Sequence, residues 1–249
     1  MKNKKLTPYY TKPQVIGHKK SAIRKLNELL EEFLSAVDEN ANIDTDSNLK
    51  KVNLLSYWLK TYAAFIKREL TFDPSKCKRY KRGEIIQVDL GFRIGHEQGG
   101  LHYAIVIDKN NAMNSDIVTI IPLSSKKTTT KPNRFNVDLG DEIFQKLNEK
   151  YLNEFHSSIK NVSITPNPAI AGEEMTITFE IDTTEADKIQ AEINSMKAGS
   201  IALVSQITTI SKIRINKPLY SSDALSGIKL SDKSMDLIDK KICELYIGK

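Results

Sequence analysis

Three short runs of β-branched and apolar residues constrain the fold of this chain more than any other feature of its sequence. They lie at residues 85–90, 104–107 and 118–125, and the loops between them are rich in glycine and asparagine. Short apolar runs bounded by such loops are typical of consecutive antiparallel strands, whereas an amphipathic helix repeats its apolar residues every three or four positions. Residues 83–125 are therefore expected to form antiparallel strands around a glycine-rich loop.

Two amphipathic helices are expected before this region. Apolar residues recur every three or four positions within residues 21–38 and again within residues 49–70, with a polar stretch between them. This spacing predicts a helical hairpin. Residues 1–20 contain Pro8 and Pro13 and are expected to lack regular helix. Because a hairpin covers only part of two apolar faces, we expect it to pack on the following domain or on a second copy.

The part of the chain after residue 132 alternates between strand and helix patterns. Short alternating or β-branched runs predict strands, and a three-to-four residue apolar spacing predicts helices. The predicted strands lie at residues 135–139, 162–168, 174–181, 200–210 and 213–216. The predicted helices lie at residues 141–155 and 184–196 and after Ser231, which is expected to cap the last one.

Charge and cysteine content limit the classes of function. The 249-residue chain has a net charge of +6, which favours a partner that carries phosphate without proving one. Its two cysteines, Cys77 and Cys243, have no CxxC spacing, which argues against a zinc site or a disulfide framework. No apolar run approaches the roughly 20 residues of a membrane helix, and the N-terminus lacks a signal-peptide core. We expect a cytoplasmic protein with no membrane contact.

A proline-marked, basic linker predicts the domain boundary. Residues 76–82 contain the densest cluster of positive charge in the chain, which is either a solvated linker face or a phosphate contact. We place an N-terminal helical hairpin region at residues 1–75 and a second domain at residues 76–249, with an insertion at about residues 141–197.

Five sequence blocks, taken together and in order, resemble the PemK/MazF toxins of type II toxin-antitoxin systems. They are Gly83-Glu84-Ile85-Ile86-Gln87-Val88-Asp89-Leu90, Gly95-His96-Glu97-Gln98-Gly99-Gly100, Ala104-Ile105-Val106-Ile107, Ile121-Pro122-Leu123-Ser124-Ser125, and the segment from Val204 through Gln206 to Arg214. The resemblance covers about residues 81–132 and residue 199 to the C-terminus. It covers neither the N-terminal hairpin nor the middle block.

This resemblance implies a fold and an activity. The expected fold class is α+β: a small SH3-like β-barrel with a C-terminal helix, an N-terminal α-helical hairpin and an α/β insertion. The implied function is a metal-independent endoribonuclease that cleaves single-stranded RNA by attack of a 2′-hydroxyl. It is implied to need no cofactor, to form a homodimer and to have an antitoxin protein as partner.

The sequence departs from the family at two positions. After the glycine pair, these toxins usually carry a residue and then Arg-Pro, but this chain has Leu101-His102-Tyr103, so His102 stands where the family's active-site arginine is expected. Ser124 likewise stands in place of a threonine. Histidine can take or give a proton near neutral pH, although it lacks the permanent charge and the bidentate fork of arginine.

The candidate site residues fall into three groups. The catalytic candidates are His102 as general base or acid, Ser124 as hydrogen-bond donor to the phosphate, and Arg93 as replacement cation. The candidates for RNA binding are His96, Lys126, Lys127, Lys131 and Arg134, and the candidates that shape the loop are Gly95, Glu97, Gln98, Gly99 and Gly100. None is expected to bind a metal.

Other interpretations stay open at this point. His102 could be a partly buried histidine whose ring nitrogens bind backbone groups, and Ser124 a turn residue. The domain could then be a catalytically degenerate module that binds nucleic acid, DNA included, or protein. The N-terminal hairpin could occupy the RNA groove in place of a separate antitoxin, or widen a dimer contact.

Overall fold

The computed structural model describes residues 10–126, 133–166 and 175–248. The chain divides into two compact units, Met1–Ala64 and Phe65–Lys249. The first unit contains helix α1 (Lys12–Ser35) and most of helix α2 (Ser47–Glu69), which crosses the boundary between the units. The Lys51 ammonium lies 5.6 Å from the centroid of the Phe33 ring, so the two helices contact each other. Both predicted helices are therefore present.

Helix α1 begins earlier than the sequence predicts. The expectation that residues 1–20 lack regular helix is wrong for residues 12–20. Pro13 lies in the first turn, where backbone N–H groups have no partner within the helix, so the missing proline N–H removes no hydrogen bond. Gln14 Oε1 accepts a hydrogen bond from Thr11 N at 2.8 Å and caps this start.

An antiparallel sheet and several helices make up the second unit. Its strands are β1 (Ile85–Asp89), β2 (Leu101–Val106), β3 (Ile117–Ser125), β4 (Val137–Asp138), β5 (Ile159–Pro166), β6 (Met175–Ile181), β7 (Ser200–Ala202), β8 (Thr208–Ser211) and β9 (Ile215–Lys217). Its helices after α2 are α3 (Glu142–Ser157), α4 (Thr184–Ser195) and α5 (Asp232–Ile242), and Ser231 caps α5 by accepting a hydrogen bond from Ser234 N. The mixed helix and antiparallel sheet composition confirms the predicted α+β class.

Among the described residues, the main sheet runs in the order β4-β7-β3-β2-β1-β9, with β8 also paired to β3. The expected closed barrel is not observed, because the end strands β4 and β9 do not pair in the described part of the chain. However, β8 pairs with β3 and β9 pairs with β1, and the 3₁₀ turn Lys212–Arg214 joins β8 to β9. These strands therefore curve around one apolar core without closing the hydrogen-bond ladder.

The prediction of one continuous strand at residues 200–210 is wrong. Leu123 pairs with Ala202, so an unbroken register would place residue 205 opposite Ile120, but Thr208 stands there. The extra residues form the 3₁₀ turn Val204–Gln206, which lets β7 pair with the end of β3 and β8 with its start. This turn brings Gln206 next to the glycine-rich loop.

Two apolar clusters lie on opposite faces of the sheet. Because side chains alternate along a strand, Val88, Ala104 and Ile120 face one cluster, and Ile105 and Leu123 face the other. The second cluster also contains Leu147 of α3, Ile189 of α4 and Ile238 of α5. Three helices therefore cover one face of the sheet, and the other face is enclosed by the curved strands.

The predicted insertion contributes α3, α4 and the separate hairpin of β5 and β6. The two strands of this hairpin confirm the prediction, although the turn predicted at residues 170–172 lies outside the described residues. Glu192 of α4 is buried, accepts a hydrogen bond from the Tyr103 hydroxyl at 2.5 Å and pairs with the Lys217 ammonium at 2.6 Å. These contacts attach α4 to β2 and β9.

No helix in the described ranges combines the length and the apolar character that crossing a membrane requires.

Candidate active site

The glycine-rich loop between β1 and β2 is held by its own backbone. Leu90 N donates to Gly100 O and Gly100 N donates to Gly91 O, each at 2.8 Å. A Cβ on Gly99 would lie 2.7 Å from Gly91 O, so this position has room for no side chain. Gly100 has φ +83°, a conformation that glycine adopts without strain. The loop at residues 91–100 therefore needs its closing glycine pair for its shape.

Gln206 fixes the other side of this loop. Its Oε1 accepts a hydrogen bond from Gln98 N at 2.6 Å, and its Nε2 donates to His96 O at 3.3 Å. Gln206 belongs to one of the five sequence blocks, but the sequence alone predicts no role for it. The available signal was a polar side chain that interrupts a β-branched run.

Gln206→Ala is expected to loosen the loop without unfolding the domain. It removes two hydrogen bonds at about 1 kcal/mol each, which together correspond to an increase of roughly thirtyfold in exchange of the Gln98 amide proton. The matched control is Gln190→Ala, since the Gln190 side chain bonds only Asn194 within α4 among the described residues. If the Gln98 amide proton exchanged at the wild-type rate in the Gln206 variant, the loop would keep its conformation without Gln206.

His102 lies near the start of β2 opposite Val88, with its ring between the loop and β3. Its Nδ1 lies 3.3 Å from Leu123 O, and its Nε2 lies 2.6 Å from Gln98 Nε2. The same Gln98 Nε2 also lies 3.2 Å from Nδ1. Because a backbone carbonyl oxygen can only accept, we assign the proton to Nδ1, which leaves the Nε2 lone pair for the Gln98 amide at the shorter of its two distances. In this assignment Nε2 is the ring atom that can take a proton.

Ser124 faces the same side of the sheet as His102. Ala104 pairs with Pro122, and continuing that register by two residues would place Ser124 opposite His102. Ser124 is half-buried, and its hydroxyl makes no hydrogen bond to a residue that the structure describes. The hydroxyl is thus available to a ligand at this end of the sheet.

A cleft of about 470 Å³ opens beside these residues. It is lined by Leu90, Arg93, His96, Glu97, Gln98, Pro122, Ser205, Gln206, Ile207 and Thr208. Arg93 is oriented by a hydrogen bond from its Nε to Leu90 O at 2.9 Å, and its Nη1 lies 3.8 Å from Glu97 Oε2. About a third of the surface of the Arg93 side chain is exposed. Gln98 connects this cleft to the His102 ring.

The predicted RNA-binding residues do not all converge on the cleft. His96 lines it, but Lys126 forms an ion pair with Asp138 at 2.5 Å and holds the pKa of that carboxyl below its usual value. The Arg134 guanidinium stacks on the Phe135 ring at 4.7 Å. Lys127 and Lys131 lie outside the described residues. Arg93 is therefore the cation that the structure brings to the cleft.

The loop-shaping candidates are distributed differently from the expectation. The Gln98 side chain contacts the His102 ring instead of a loop amide, and Glu97 lies near Arg93. Gly95 has φ +64°. Within the described residues, no group of three or more His, Cys, Asp or Glu side chains could hold a metal ion.

Residues 81–165 match the sequence profile of the family described as PemK-like, MazF-like toxin of type II toxin-antitoxin system. This part of the chain is therefore similar to a PemK-like toxin domain. No curated protein is similar enough in sequence to count as a match. The matched range contains the glycine-rich loop, His102 and Ser124, but it ends before Gln206. In the fold, the chain beyond that range completes the site of the PemK-like domain, since β7, β8 and Gln206 lie against β3 and the loop.

Proposed function

We propose that this protein is a toxin of a type II toxin-antitoxin system that cleaves single-stranded RNA as a metal-independent endoribonuclease. One observation carries the proposal: in a PemK-like domain, the His102 ring is held by Leu123 O with the Nε2 lone pair directed at the amide of a cleft residue, Gln98. A histidine held in this way is suited to accept a proton.

The proposed reaction uses a nucleophile that belongs to the RNA. His102 Nε2 takes the proton of a ribose 2′-hydroxyl, whose oxygen attacks the adjacent phosphorus. The bond from phosphorus to the 5′-oxygen breaks, the 2′-oxygen stays bonded to phosphorus in a 2′,3′-cyclic phosphate, and the leaving 5′-oxygen takes a proton from solvent water. The Gln98 amide has to release Nε2 when the hydroxyl binds. The Ser124 hydroxyl donates to a phosphate oxygen, and Arg93 offsets the charge that gathers there.

The two departures from the family pattern fit this division of roles. An arginine at residue 102 would supply a permanent charge, whereas His102 supplies proton transfer, so the positive charge has to come from elsewhere. Arg93 meets that need because it lines the same cleft. A serine hydroxyl donates the same hydrogen bond as a threonine hydroxyl, so Ser124 keeps the chemistry of that position.

The proposal includes two protein partners. A homodimer and a separate antitoxin are what the family resemblance implies, and the apolar surface of the N-terminal helices is a candidate for either contact. Ile23, Leu29, Leu54 and Tyr57 are each at least two-fifths exposed.

A second candidate function is favoured by the same histidine. Both His102 ring nitrogens already have hydrogen-bond partners, as in a histidine with a purely structural role. On this reading the PemK-like domain binds nucleic acid or protein without cutting it. Cleavage experiments separate the two candidates directly.

The test is incubation of the purified protein with a long single-stranded RNA and with the same RNA as a duplex, each in excess EDTA. We expect the single strand to be cut at a limited set of sites and the duplex to stay intact. Binding of RNA without cleavage would favour the binding module, and cleavage only after a divalent metal is added would overturn metal independence.

A further inference from the structure

A strongly basic pocket lies at the opposite end of β1 from the glycine-rich loop. It has a volume of about 380 Å³ and is lined by Arg79, Tyr80, Lys81, Arg82, Lys109, Asn111 and Lys229. The chain brings these residues together from the segment before β1, the loop after β2 and the segment before α5. No carboxylate is among the lining residues.

Ion pairs divide the basic cluster at residues 76–82 into bound and free cations. Lys76 lies near Asp73, Lys78 pairs with the buried Glu84, and Arg82 binds Asp239 and the carbonyl of Ile107. These cations have structural partners. Arg79 and Lys81 remain, and both face the pocket.

The four outer cations of the pocket keep their charge uncompensated. Arg79, Lys81, Lys109 and Lys229 are exposed, and none of them pairs with a carboxylate in the described part of the chain. The Lys229 stem packs against Gly83, where a Cβ would lie 3.1 Å from Lys229 Cε. Close unpaired cations repel one another, so an anion in the pocket is electrostatically favoured.

Asn111 adds an acceptor to this cationic site. It is 5% exposed, and its Nδ2 donates to Asp108 Oδ2 and to Ile117 O, each at 2.9 Å. These two acceptors fix the orientation of the amide and leave Oδ1 buried without a hydrogen-bond partner. The pocket therefore offers positive charge for a phosphate and one acceptor for a hydroxyl or N–H group of the same ligand.

We propose that this pocket binds a phosphate and the adjoining ribose of a single-stranded RNA, outside the cleft in which cleavage takes place. The cations contact the phosphate oxygens, and Asn111 Oδ1 accepts a hydrogen bond from the ribose 2′-hydroxyl. The inference rests on the proposed function for the identity of the ligand. The five residues of β1, at about 3.3 Å each, separate the pocket from the cleft by roughly 17 Å.

The test measures binding of short and long single-stranded RNA, of about 4 and about 16 nucleotides, in a His102→Ala background. Lys81→Gln with Lys109→Gln is expected to weaken binding of the long RNA about tenfold and to leave the short RNA unaffected. The slope of log affinity against log salt should fall by about 1.4 for the long RNA, since each phosphate contact on a single strand contributes about 0.7. The matched control is Lys233→Gln with Lys240→Gln on α5, which removes the same charge from exposed positions.

A second comparison tests the role of Asn111. Because Asn111 is proposed to recognise the 2′-hydroxyl, the long oligonucleotide should show a stronger preference for RNA over DNA of the same sequence than the short one. An equal loss in the two double variants, or an equal preference for RNA at both lengths, would overturn the pocket as an RNA site. The proposal would also be overturned if the pocket bound inorganic phosphate and RNA did not compete with that phosphate. Because binding is the readout, a protein that uses the pocket without cutting RNA supports this proposal while refuting the nuclease.

Discussion

His102→Ala is expected to lower the rate of RNA cleavage by about 10²–10⁴-fold, the range that a positioned general acid or base contributes. The variant loses the ring that lies between Leu123 O and the side-chain amide of the cleft residue Gln98. The measurement is the single-turnover cleavage rate at saturating protein. Relief of growth arrest on expression should accompany the loss.

The matched control is His156→Ala, because His156 is an exposed histidine near the end of α3 and lies outside the cleft. It should cut RNA at the wild-type rate. His102→Ala has to keep a wild-type thermal unfolding profile for the comparison to hold, and His102→Gln, which is close in size, provides a second variant if it does not. Cleavage by both His102 variants at the wild-type rate would remove His102 from the mechanism.

Glu192→Ala is expected to destabilise the domain by about 3 kcal/mol. The side chain is buried and holds the Tyr103 hydroxyl and the Lys217 ammonium. Burial is the larger cause and this hydrogen bond the smaller cause that raises the pKa of Tyr103. Its hydroxyl therefore stays protonated and donates. Removal of Glu192 leaves the Tyr103 hydroxyl partly buried without this acceptor. Urea unfolding monitored by circular dichroism measures the change.

Glu185→Ala on the same helix is the control for this prediction. Glu185 is exposed and pairs with Lys188, so its loss should cost less than about 1 kcal/mol. Glu192→Gln keeps an acceptor for Tyr103 but loses the charge facing Lys217, and it should fall between the two alanine variants. Equal effects of Glu192→Ala and Glu185→Ala would mean that α4 is not attached through this group.

The periodicity of the sequence was sufficient for much of the fold. β1, β2 and β3 follow β-branched runs, and α3 follows its apolar spacing. The start of α1 differs from the expectation, because a proline in the first turn of a helix removes no hydrogen bond and Pro13 lies there. The turn at residues 204–206 does not follow from the pattern either, because β-branched residues lie on both sides of it and only pairing with β3 requires it.

The candidate site could be predicted only in part, because the groups that orient its residues are distant in sequence. His102, Ser124 and Arg93 were found through residue type and family resemblance. The groups that orient them come from distant parts of the chain: Leu123 O for His102 and Gln206 for the loop. Lys126 has the expected charge, but it pairs with Asp138 of β4, which β7 separates from β3 in the sheet. Cross-strand partners of this kind depend on register, which a local pattern does not specify.

The chemical nature of the RNA ends tests the central claim most directly. Attack by a 2′-hydroxyl leaves a 2′,3′-cyclic phosphate on one fragment and a 5′-hydroxyl on the other, and mass spectrometry of the products formed in EDTA identifies both. We predict these ends for the wild-type protein and their absence for His102→Ala. Fragments that carry 5′-phosphates, or intact RNA after prolonged incubation with the wild-type protein, would contradict the account.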